Sequence, residues 1–141
     1  MSTLSVPSDT KHTRRLHISL WVAQGVLALF YAGTGFMKAT QSIEALTAMM
    51  QWPGVVPEAL VRFIGIAELA GAVGLILPSL LRIAPRLTPL AATGLVLIQV
   101  LAIPFHLSRG EASVVPVNLV LLALAAFIAW GRWRKAPILP R

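Results

Sequence analysis

Four apolar runs alternate with short polar connections along the chain, over residues 17–38, 59–80, 88–106 and 114–130. A helix of about 20 apolar residues crosses the hydrocarbon core of a bilayer, so each run predicts a membrane span. The polar residues inside the runs are not scattered. In the first, Gln24, Ala28, Tyr31, Gly35 and Lys38 stay within a stripe of about 80° at 100° per residue. In the second, Gly65, Glu68, Gly71, Ala72 and Leu75 share one face, with glycine and alanine on both sides of the carboxylate. The third carries Gln99 and His106 seven residues apart; the fourth aligns Asn118, Leu122, Ala125 and Ala129. Small residues let helices approach closely, and polar residues in lipid seek partners on other helices. The pattern therefore predicts an all-α, four-helix transmembrane bundle with these faces turned inward.

The connections add detail. Between spans one and two, Ser42 to Gln51 predict a short interfacial helix with Ile43, Leu46, Met49 and Met50 on one side, ended by the turn Trp52-Pro53-Gly54. Residues 1–16 predict a flexible tail and residues 134–141 a basic one. The first run is too long for the apolar region of a signal peptide, so it predicts a retained span. With the N-terminus inside, nine of the twelve basic residues fall on the inner side. The positive-inside rule then places both termini in the cytoplasm, as expected of a multi-pass protein of the bacterial cytoplasmic membrane.

Composition narrows the chemistry. Of 141 residues, 57% are hydrophobic and only 12% charged, about half the charged share of an average soluble domain. Lipid can solvate such a chain; the polar sequence is too scarce to cover it in water. The absence of cysteine removes disulfides, thiol exchange, iron–sulfur ligation and cysteine-type zinc sites. The net charge of +7 is concentrated at helix ends, which suits lipid headgroups rather than nucleic acid. Bis-histidine haem would need two histidines facing each other, but His12 and His17 lie at the opposite surface from His106. A metal site would have only Glu68 and His106 as ligands, fewer than such sites use.

Threading the four spans puts Lys38 and His106 at the outer surface, with Gln99 about 10 Å below His106 and Glu68 roughly 13 Å into its span. Asn118 lies nearer the outer end and Tyr31 shares the Lys38 stripe, while Gln24 alone belongs to the inner half. Lys38, Glu68, Gln99, His106, Asn118 and Tyr31 thus form a candidate ligand-binding set facing one outer pocket. Two readings stay open. In one, the carboxylate, tuned by Lys38 and His106, serves a bound molecule, since an ionisable group inside a membrane is a site hypothesis by default. In the other, Lys38 and Glu68 only lock helix register, and Gln99 and Asn118 are interhelical glue. Arg62, about 120° around its helix from Glu68, is expected to meet lipid phosphates. No catalytic residue and no metal ligand is assigned.

The runs GIAELAGAVGLILP, TPLAATGLVLIQVLAIPFH and NLVLLALAAFIAWGRW, with YAGTGFMK in the first span, resemble the DoxX-like family of small four-span bacterial membrane proteins. The resemblance covers roughly residues 17–133 and matches Lys38, Glu68, His106 and Asn118. It implies association with membrane redox systems and a redox partner protein. A quinone would need only an apolar slot with a few hydrogen-bonding groups, which the outer pocket would supply. A non-catalytic scaffold is the alternative, a solute carrier a weaker third, and a homo-oligomer stays open.

Overall fold

The computed structural model describes residues 9–141; residues 1–8 of the expected tail lie outside the described residues. Five helices follow in order: α1 (Asp9–Thr40), α2 (Ile43–Met50), α3 (Glu58–Leu81), α4 (Leu87–Ser108) and α5 (Val115–Trp130). α1, α3, α4 and α5 are each long and apolar enough to cross a membrane, α5 together with the turns that flank it. α1 packs along α3, α3 along α4 and α4 along α5, and α5 returns to α1, so the bundle is a closed ring of four. The middle of the outward surface is rich in apolar side chains: Leu29, Phe63 and Leu101 are each more than 60% exposed. Water would penalise that surface, and lipid tails do not. The chain is a multi-pass membrane protein.

α1 begins earlier than the apolar pattern predicts, because Asp9 to Leu16 already lie in the helix instead of a flexible tail. At ~1.5 Å per residue its 32 residues run well past a ~30 Å core. The extra turns carry Lys11, Arg14 and Arg15, which suit the headgroup layer. The inward stripes of α1 and α3 match expectation: Gln24, Ala28, Tyr31, Gly35 and Lys38 are buried, as are Gly65, Glu68, Gly71, Ala72 and Leu75. On α5 the buried positions are Asn118, Leu121, Ala125 and Ile128. The expected face with Leu122 and Ala129 is thus rotated, because larger Leu121 and Ile128 fill the centre while Leu122 and Ala129 sit at its edge.

Inside a membrane every backbone group must find a partner within the protein. Pro78 sits within α3 and has no N–H to give the carbonyl four residues back. That carbonyl, on Gly74, instead accepts from the Thr88 hydroxyl of α4 at 3.0 Å, and Thr88 also meets Ser79 at 2.7 Å. A break in one helix is thereby repaired from the next. α2 is the expected interfacial helix. Its N-cap Ser42 accepts from the Ala45 backbone, Leu46 turns inward, and a 3-10 turn over Trp52–Val55 leads the chain back to α3.

Candidate functional site

Glycine sets the geometry of the central pair. Gly35 on α1 and Gly65 on α3 bring the two backbones into contact, so the side chains just beyond them are drawn across a short gap. Lys38 Nζ donates to Glu68 Oε1 at 2.7 Å, and Thr34 Oγ1 donates to Glu68 Oε2 at 3.0 Å. Both oxygens of the carboxylate are therefore engaged. Glu68 is 3% exposed and Lys38 9%, so the charges neutralise each other in a setting that would reject either alone. Trp52 roofs the pair. Its ring lies 5.8 Å from Lys38 Nζ and meets Phe105 of α4 edge to face, which ties the interfacial turn to the bundle mouth.

Arg62 does not reach outward to lipid. Its Nη1 donates to the carbonyls of Lys38 and Gln41 at 3.0 and 2.6 Å, while Nη2 pairs with Glu58. The last carbonyls of a helix lack intrahelical donors, and an arginine stem long enough to cross the gap satisfies them better than a distant phosphate. Helical position gave its direction around α3; the length of its side chain decides its partner.

The remaining expected site residues separate into two groups. Tyr31 reaches from α1 across the interior to α4, where its hydroxyl accepts from Gln99 Nε2 at 2.7 Å. Gln99 Oε1 and Asn118 Nδ2 are buried with no hydrogen-bond partner. Most buried polar atoms are paired, and an orphan costs about 1–3 kcal/mol. These two are a free acceptor on α4 and a free donor on α5. Counted along their helices, Gln99 lies nine residues inside the end of α4 and Asn118 three inside the start of α5.

His106 joins neither group. Its Nδ1 donates to Glu111 Oε2 at 2.6 Å, and Arg109 Nε donates to Glu111 Oε1 at 3.0 Å. These hydrogen bonds, first from His106 and then from Arg109, hold the Glu111 carboxyl below the usual carboxylate range. The expectation that His106 tunes Glu68 is replaced by a loop clasp that ties α4 to the segment before α5. Glu111 lay in a short loop with no periodicity to mark it. Thr34 was equally silent, since a threonine in a span draws no notice until its neighbour across the gap is known.

A second buried network lies at the other end. Arg132 is 3% exposed; its Nε donates to Gln24 Oε1 at 2.7 Å and its Nη1 to the Ala136 carbonyl and His17 Nδ1, both at 3.0 Å. Trp21 lies under the guanidinium at 5.5 Å. Gln24 in turn donates to the Leu75 carbonyl of α3, so one arginine links α5, α1 and α3. Among the described residues no three histidine, aspartate or glutamate side chains stand together as a metal site.

Comparison with curated proteins and with solved structures returns no match. Residues 22–128 match the family model described as the DoxX-like family, a stretch holding the Lys38–Glu68 pair, Tyr31, Gln99, His106 and Asn118 but not Arg132. The chain belongs to the DoxX-like family.

Proposed function

We propose that this protein is an accessory component of a bacterial membrane redox system that holds the head of a small lipophilic carbonyl compound, such as a quinone, between α1, α4 and α5. The observation that carries this reading is the pair of orphaned atoms, Gln99 Oε1 and Asn118 Nδ2. One is an acceptor and the other a donor, yet neither is hydrogen-bonded to the other or to any other group among the described residues. A ring with an oxygen at each side would satisfy both, joined at each end by a ~2.9 Å hydrogen bond. Asn118 would donate to a carbonyl of the oxidised form, and Gln99 would accept from a hydroxyl of the reduced form. A bound quinone would supply electron and proton transfer; the chain's own part is to position the ring and exclude water. Lys38 and Glu68 hold α1 against α3, and no catalytic role is proposed for them. The distribution of basic residues supports cytoplasmic termini, and with that orientation the proposed site would lie toward the outer leaflet.

A scaffold reading is favoured by one feature: both oxygens of Glu68 are already engaged within the protein. Extraction of the protein with its lipids into polymer-bounded discs, followed by solvent extraction and chromatography, separates the two. The wild type should release a quinone in near-stoichiometric amount, and Asn118→Leu and Gln99→Leu should each lower it about tenfold, the worth of one buried hydrogen bond. A wild type free of lipophilic ligand, with Asn118→Leu more heat-stable because an orphan has been removed, would leave the scaffold reading standing instead.

A further inference from the structure

The two ends of the bundle differ in how their charges are met. At the end holding Lys38, each basic residue pairs with a carboxylate: Lys38 with Glu68, Arg62 with Glu58, Arg109 with Glu111. The opposite end carries the other nine basic residues and a single acid, Asp9. Among the described residues none of those nine forms an ion pair. A positive field of that size, set at a membrane surface, attracts anionic lipid.

One place at that end has the shape of a site. Beyond Trp130 the chain continues as a π-helical turn over Gly131–Lys135. Arg132 points inward and is tied to Gln24, and Ala136 is buried behind it, so the turn is anchored and not a loose tail. Trp130, Trp133 and Arg134 are all exposed and border one open groove. With Ala129 and Lys135 they border a cavity of ≈ 830 Å³. Both indoles are nearly half exposed, at 47% and 46%, and Lys135 Nζ lies 6.0 Å from the Trp130 ring. This slot is open to the surface and is lined by two indoles and two cations.

Indole rings favour the glycerol and headgroup level of a bilayer, and guanidinium and ammonium groups favour phosphate. A small soluble anion would satisfy the cations and leave the walls uncovered. A zwitterionic lipid would bring an ammonium toward Arg134 and Lys135. We propose that this slot binds one anionic phospholipid per chain, with Arg134 and Lys135 on its phosphate and Trp130 and Trp133 flanking its glycerol and first acyl carbons.

Native mass spectrometry of the full chain, released from phosphatidylcholine discs containing a minor share of phosphatidylglycerol, tests this. One phosphatidylglycerol should stay bound to the wild type. Arg134→Gln with Lys135→Gln should lower the bound fraction about tenfold or more, while Arg14→Gln with Arg15→Gln, two charges removed from the same end outside the slot, should change it less than about twofold. Millimolar inorganic phosphate should not displace the lipid. Equal losses in the two double variants would mean a diffuse field and no site. A wild type without lipid would overturn the proposal, and so would displacement by phosphate alone.

Discussion

Gly35 and Gly65 meet backbone to backbone: a Cβ on Gly65 would stand 2.7 Å from the Ala39 nitrogen, and one on Gly35 2.8 Å from the Gly65 carbonyl oxygen. Those neighbours are main-chain atoms and cannot rotate away. Gly65→Ala should therefore force α1 from α3, lengthen the Lys38–Glu68 bond and cost about 1–3 kcal/mol or more. Gly94→Ala meets nothing within 4 Å and should be neutral or slightly stabilising, since alanine favours a helix by up to ~1 kcal/mol. Thermal unfolding of both variants in one detergent checks the contrast; an equal effect would mean that helix propensity, not close approach, governs these positions.

The ion pair makes a sharper forecast. Lys38→Met leaves a carboxylate with Thr34 alone, and Glu68→Met leaves an ammonium beneath Trp52, both in a nearly dry site. Each single change should cost about 3–5 kcal/mol, whereas the double variant should recover most of the loss because no unpaired charge remains. The measurement is a double-mutant cycle on unfolding midpoints. Losses that simply add would show the two groups to be uncoupled.

Much of this arrangement was legible before any coordinates. Span positions follow from apolar run length, and the inward stripes of α1 and α3 follow from 3.6-residue periodicity, which is why Lys38 and Glu68 could be matched in advance. Periodicity fixes direction around one helix axis, and it is silent on reach and on partners in loops. Arg62 points away from Glu68 around α3 yet caps α1, because its stem spans the gap. Glu111, in a connection, takes the histidine that depth alone had offered to Glu68. Arg132 was counted among topology signals at the chain's basic end, but the π-helical turn after α5 carries it inward. The face of α5 was misjudged for a related reason: in an all-apolar helix, small residues are a weak guide to which side is central.

The repair at Pro78 also has a measurable consequence. Thr88→Val keeps the shape of the side chain and removes the hydroxyl on which the Gly74 carbonyl depends. An unsatisfied carbonyl in this setting should cost about 1–3 kcal/mol. Ser79→Ala removes only the Ser79–Thr88 contact and should cost less, since Thr88 can still donate to Gly74. The order of the two unfolding midpoints is the readout. A larger loss for Ser79→Ala would mean that the hydroxyl pair, and not the orphaned carbonyl, carries the stability.

Glu111 gives the bundle a pH dependence of definite sign. Its carboxyl sits below the ordinary value of 4.5, chiefly through the hydrogen bond from His106 and then that from Arg109. A group whose folded pKa is depressed stabilises the fold above its unfolded pKa, and that contribution disappears as pH falls through the folded value. Wild type should therefore exceed Glu111→Gln in thermal stability at neutral pH, with the gap narrowing only below pH ~4.5 and closing further into acid. Because Arg109 and His106 both bond the same carboxylate, Arg109→Gln should shrink the gap without abolishing it. Paired melting curves across that acid range make the comparison. A gap that stays constant down to the lowest pH tolerated would mean that Glu111 contributes through packing and not through its charge.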